Sequence, residues 1–153
     1  MMTLGEKIIA FIECLNVPEG EKVGQQIQLD DFQKRFILDV YDNPARTKTA
    51  ILSIARKNGK SALIAGLLLA HLVGPAAVQN SQIVSGAMSR EQAALVFKLA
   101  QKMVMQNPTL QKIIKIIPSS KSLIGLPMNV EYKAIAADGA TAQGLSPVLI
   151  IFD

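Results

Sequence analysis

The stretch that most limits the possible folds is residues 47–61, TKTAILSIARKNGKS, together with the segment that follows it. Residues 47–55 are rich in β-branched and apolar side chains and read as a buried strand. A turn carrying Gly59 leads straight into residues 60–73, KSALIAGLLLAHLV, a predicted helix with apolar residues nearly all round. Such a helix has to be buried on several sides. A strand feeding a buried helix through a short turn is a building unit of layered α/β folds.

The rest of the chain repeats this alternation. Thr3-Leu4-Gly5-Glu6 has the spacing of a capping box, and Leu4, Ile8, Ile12 and Leu15 recur at helical spacing, which predicts an amphipathic helix over residues 4–15. Pro18-Glu19-Gly20 breaks it. Asp30-Asp31-Phe32-Gln33 opens a second helix that runs to Tyr41 and stops at Asp42-Asn43-Pro44. Residues 82–86 read as a short strand, Ser89 starts a helix through Met105, and Asn107-Pro108 caps another short one. Residues 122–135 alternate unevenly, with 130–135 strand-like; Asp138-Gly139 supplies a turn and 148–153 the last strand. The expected fold class is therefore α/β, with a mainly parallel sheet flanked by helices.

Composition agrees with a packed domain. The 153 residues are half apolar and 18% charged, which excludes a disordered chain. A net charge of +4 is compatible with nucleic acid without establishing it. One cysteine, Cys14, excludes an internal disulfide framework and suits a reducing cytoplasm; it reads as a small apolar filler on its helix. Glu6 and Glu13 interrupt any signal-peptide pattern. The longest apolar stretch, residues 62–70, is shorter than the roughly 20 residues a bilayer span takes, so no membrane is expected. The closing run Val148-Leu149-Ile150-Ile151-Phe152-Asp153 has no turn or cap after it and reads as the edge of a fragment or truncated product.

Gly59-Lys60-Ser61 ends the strand-to-helix turn as a phosphate-binding loop does. Backbone N–H groups at a helix N-terminus converge on phosphate oxygens, lysine brings a point charge to them, and the serine hydroxyl ligates Mg2+. The first position of such a loop usually holds glycine and here holds Ile54, so a simple turn with Ser61 as cap stands as the alternative. The second half of a nucleotide site is an acidic residue ending a buried apolar strand, and five apolar residues followed by Asp153 fit it.

Three segments, SIARKNGKSALIAGLLLAHL, SGAMSREQAALVFKLAQKMV and ADGATAQGLSPVLIIFD, together resemble the large terminase subunit of tailed bacteriophages. The similarity runs from Leu29 to Asp153 and falls in that family's N-terminal ATPase domain, leaving residues 1–28 as a helical lead-in. A phosphate loop with an arginine and no leading glycine is a feature of that family.

The resemblance implies a P-loop NTPase core of the additional-strand type, incomplete here. It implies ATP and Mg2+ held by Arg56, Lys57, Asn58, Gly59, Lys60 and Ser61, with Ser61 and the Walker B Asp153 on the metal. Arg56, Lys60 and Asp153 would carry the catalysis, Arg56 beside the γ-phosphate. Gln33 matches the glutamine that reads the adenine edge, although it is equally the N3 partner of its own capping box. Implied partners are double-stranded DNA, the portal protein, the small terminase subunit and further copies in a ring, in the cytoplasm of a bacterial host. The family's motif continues from aspartate to a water-positioning glutamate and later to a nuclease domain, and neither follows Asp153; poor hydrolysis by the chain alone is the expectation. Another phosphate-loop translocase or helicase, or a non-catalytic nucleotide-binding remnant, are the alternatives.

Weaker signals stay open. Six lysines, Lys98, Lys102, Lys112, Lys115, Lys121 and Lys133, could face a DNA backbone or form solvated faces. His71, alone in an apolar helix, reads as a packing histidine, and Met88, Met103 and Met105 as core filler. No Ser–His–Asp set and no cluster of metal-ligating cysteines or histidines is visible.

Overall fold

The computed structural model describes residues 1–46, 49–52, 60–136 and 147–152. In chain order the helices are α1 (Leu4–Glu13), α2 (Asp31–Tyr41), α3 (Lys60–Leu72), α4 (Arg90–Met105) and α5 (Pro108–Ile113). The strands are β1 (Gln82–Ala87), β2 (Ile114–Ile117), β3 (Ser122–Gly125), β4 (Val130–Ala136) and β5 (Leu149–Phe152).

Helix starts follow the sequence signals closely. Thr3 caps α1, with its Oγ1 accepting the Glu6 N–H at 3.2 Å and Glu6 reaching back to the Thr3 N–H at 2.9 Å. The Ser89 hydroxyl accepts the Gln92 N–H at the start of α4. Asn107 accepts from Thr109 and Leu110, ahead of Pro108 in the first turn of α5. Each cap satisfies donors that a helix leaves open at its first turn. The first helix stops at Glu13, short of Leu15, which is nonetheless buried.

The five strands form one sheet in the order β2–β3–β4–β1–β5. β1 lies between β4 and β5 and is parallel to both, with Gly86 opposite Ile135 on one side and Phe152 on the other. The three strands thus end at nearly the same level. β3 runs antiparallel to both of its neighbours, β2 and β4, and the three extend the sheet on the far side. The architecture is a mixed α/β sheet: a parallel core of the phosphate-loop NTPase kind, with an antiparallel extension. The pair β2–β3 is an addition to the sequence reading.

α3 and α4 pack on the face that carries Ile83, Ser85, Tyr132 and Ala134, all at most 1% exposed. α1 packs on both α2 and α3. There Ile12 lies directly over Gly66, where a Cβ would come within 3.0 Å of it. Ser85 is fully buried and bonds the Ala93 carbonyl at 3.0 Å and the Tyr132 hydroxyl at 2.6 Å, joining β1, α4 and β4.

Five expectations need correction or restriction. The strand predicted over residues 47–55 is not formed at residues 49–52, and its remaining positions lie outside the described residues, as do the turn at Asp138-Gly139 and Asp153. A strand needs a partner edge in register, and β-branched composition cannot supply that by itself. Cys14 is exposed at the C-cap of α1 and fills no core position. Of the three methionines, only Met103 is core; Met88, in the link between β1 and α4, is 89% exposed, and Met105, the last residue of α4, is 60% exposed.

Candidate functional site

A cleft of about 950 Å³ opens between α2, α3 and β5. α2 contributes Phe36, Val40 and Tyr41, and α3 contributes a row running from Lys60 to His71. The third wall is β5 with the two residues before it, ending at Phe152. Residues 49–52 lie along the same cleft.

Lys60 and Ser61 form the first turn of α3 and are exposed. The first N–H groups of an α-helix have no partner within it, and the helix dipole places partial positive charge there. Lys60 adds a positively charged side chain to this end of the cleft, which suits an anion such as a phosphate. Ser61, whose hydroxyl is an oxygen ligand of the kind Mg2+ takes, follows Lys60 on α3 but is not among the residues lining the cleft.

β5 brings its last described residue, Phe152, to the same cleft as Lys60. Two segments some ninety positions apart in sequence therefore line one concave surface. Arg56, Lys57, Asn58, Gly59 and Asp153 lie outside the described residues.

Gln33 is 4% exposed, and its Oε1 accepts the Asp30 N–H at 2.8 Å. That is the capping-box role its position predicts. Gln33 is not among the residues lining the cleft.

The sequence reading missed the pair that closes one end of the cleft. Tyr41 Oη and His71 Nε2 are 2.7 Å apart, and the rings stand 5.6 Å apart at a tilt of 44°. Burial pushes the Tyr41 phenol up to about 12 and the His71 imidazole down to about 4, so both are neutral at pH 7. His71 Nδ1 is buried and has no hydrogen-bond partner among the described residues. A lone histidine in an apolar helix was the available signal; its partner, from another helix, left no trace in the local pattern.

Among the described residues there is no group of three or more His, Cys, Asp or Glu side chains able to hold a metal, and no helix long and apolar enough to cross a membrane. The six lysines are spread over α4, α5, β2, β4 and the turn before β3. Lys102 pairs with Glu19 at 2.9 Å, and Lys121 stands 5.9 Å from the centre of the Phe97 ring. Lys115 and Lys133 project from the sheet face opposite Tyr132, with Glu131 on that same face.

Comparison with known proteins is consistent with this geometry. Residues 31–153 match the family described as terminase large subunit, ATPase domain. The chain is 70% identical over 154 residues to the terminase large subunit of Enterobacteria phage HK97, covering 99% of this chain and 30% of that protein. The crystal structure of the HK97 bacteriophage large terminase superposes with a TM-score of 0.90 at 68% identity, over 99% of this chain and 31% of that one. The chain thus spans about a third of the length of the relatives it matches.

Proposed function

The chain belongs to the terminase large-subunit ATPase family, and on that premise we propose that it forms the nucleotide-binding part of a viral DNA-packaging motor. Within the whole protein, ATP hydrolysis would be coupled to movement of double-stranded DNA into a procapsid. The portal protein, the small terminase subunit and sister copies in a ring would be its partners, in the cytoplasm of the bacterial host. Residues 29–153 would be the ATPase portion and 1–28 its helical lead-in.

The observation that carries this reading is the shared cleft of Lys60 and Phe152. Lys60 would neutralise phosphate charge, and Ser61 and Asp153 would hold Mg2+, which shields the phosphate oxygens during transfer. Arg56 would place positive charge against the negative charge of the phosphate oxygens in the transition state. Lys57, Asn58 and Gly59 would supply backbone donors. Gln33, whose Oε1 serves the α2 cap, would read the adenine edge.

Thermal melting with and without nucleotide tests the reading. Mg2+ with a non-hydrolysable ATP analogue at 100 times its dissociation constant stabilises the fold by about 2.7 kcal/mol. Lys60→Ala removes that gain while leaving the unliganded fold intact, since Lys60 is exposed. A folded wild-type protein whose melting temperature ignores the nucleotide would overturn the assignment.

A further inference from the structure

We propose that Tyr41 and His71 are positioning residues for the nucleotide cleft, holding α2 and α3 at the separation that nucleotide binding requires; this rests on the reading above. Tyr41 is the last residue of α2, and His71 lies one residue before the end of α3. Their 2.7 Å hydrogen bond therefore ties the far ends of two walls of the cleft, and both side chains line it. Lys60 sits on the same rigid helix as His71, about 16 Å away along its axis. A change in how α3 is held at His71 is thus carried to the end expected to meet phosphate.

The next residue along α2's exit carries a second tie. Asp42 accepts the Thr3 hydroxyl at 2.6 Å and the Gly5 N–H at 2.9 Å, fastening the same point of the chain to α1. α1 in turn rests on α3 through Ile12 and Gly66. Consecutive residues, Tyr41 and Asp42, thus hold the end of α2 to both neighbouring helices.

Packing alone does not account for a histidine here. Its Nδ1 is left buried without a partner among the described residues, a penalty that an apolar side chain of similar size would avoid. What histidine adds is a directed bond to Tyr41. Both groups are neutral, so the bond does not depend on surface charge or salt.

Titration of the protein with a fluorescent Mg2+–ATP analogue, well below all melting midpoints, tests the proposal. Tyr41→Phe, which deletes one oxygen, and His71→Leu are each expected to weaken binding about 3- to 10-fold, the range set by one lost hydrogen bond. His71→Gln, whose amide can stand in for Nε2, is expected to recover most of that loss. Unchanged affinity in Tyr41→Phe and His71→Leu, even with lowered melting temperatures, would make the pair merely structural and overturn the proposal. Failure of the wild type to bind, or equal binding by Lys60→Ala, would instead overturn the nucleotide reading and take this inference with it.

Discussion

Ser85 has a single hydroxyl proton and two close oxygen neighbours. The Ala93 carbonyl can only accept, so Ser85 donates to it, and Tyr132 must donate to Ser85. Burial pushes the Tyr132 phenol up to about 12, so it keeps its proton. Ser85→Ala strands that hydroxyl in the core and is expected to cost about 1–3 kcal/mol in urea unfolding. The double variant with Tyr132→Phe should lose less than the sum of the single losses, because no orphan is left. His71 gives a pH dependence. Its imidazole titrates at 6.5 when unfolded and near 4 in the fold, so the unfolded chain binds more protons between those values. Its contribution is present in full above pH 6.5 and is lost as pH falls toward 4, about 3 kcal/mol in all. Unfolding free energies measured from pH 7 to 4 should show this slope, and His71→Leu should flatten it. At this scale local contacts were legible and distant ones were not: the Gln33 cap could be read from its spacing, whereas the Tyr41–His71 bond joins residues thirty apart.

Among elements, helices announced themselves and short strands did not. Caps at Thr3, Ser89 and Asn107 are local chemistry, and each was readable from three or four residues. β2 and β3 have four residues each, too few for a period to separate strand from helix. Their pairing depends instead on a close approach to α3. A Cβ on Gly125 would stand 2.3 Å from the Leu72 carbonyl oxygen and 3.0 Å from Val73. Backbone cannot yield as a flexible side chain would. Gly125→Ala is therefore expected to cost at least about 1–3 kcal/mol, read as a lowered melting temperature. The stretch 47–55 shows the converse limit: residues 49–52, strand-like in composition, line the same cleft as β5 without joining the sheet.

For the molecule as a whole, stability should be graded across the sheet. β4 is paired on both sides, and its Tyr132 and Val130 are fully buried. β5 pairs with β1 alone among the described strands, and its Ile150 and Phe152 are 49% and 74% exposed. Native-state hydrogen exchange should find the slowest amides in β4 and the fastest sheet amides in β5. Equal protection in the two would show that β5 is held by more than its ladder with β1. The fold class was legible because the alternation of strand and helix survives any error at element ends. Strand order was not, since nothing in a sequence states which edge a strand will join.

That strand order also bears on how the chain is made. β2, β3 and β4 occupy one contiguous stretch and can zip together as soon as it leaves the ribosome, whereas β1 must wait for residues made some fifty positions later. The open flank of β1 waits longer still, until Leu149 to Phe152 emerge. Until then a growing polypeptide displays an apolar template ready to capture any passing strand, which makes the interval before β5 docks the moment when a chaperone matters most.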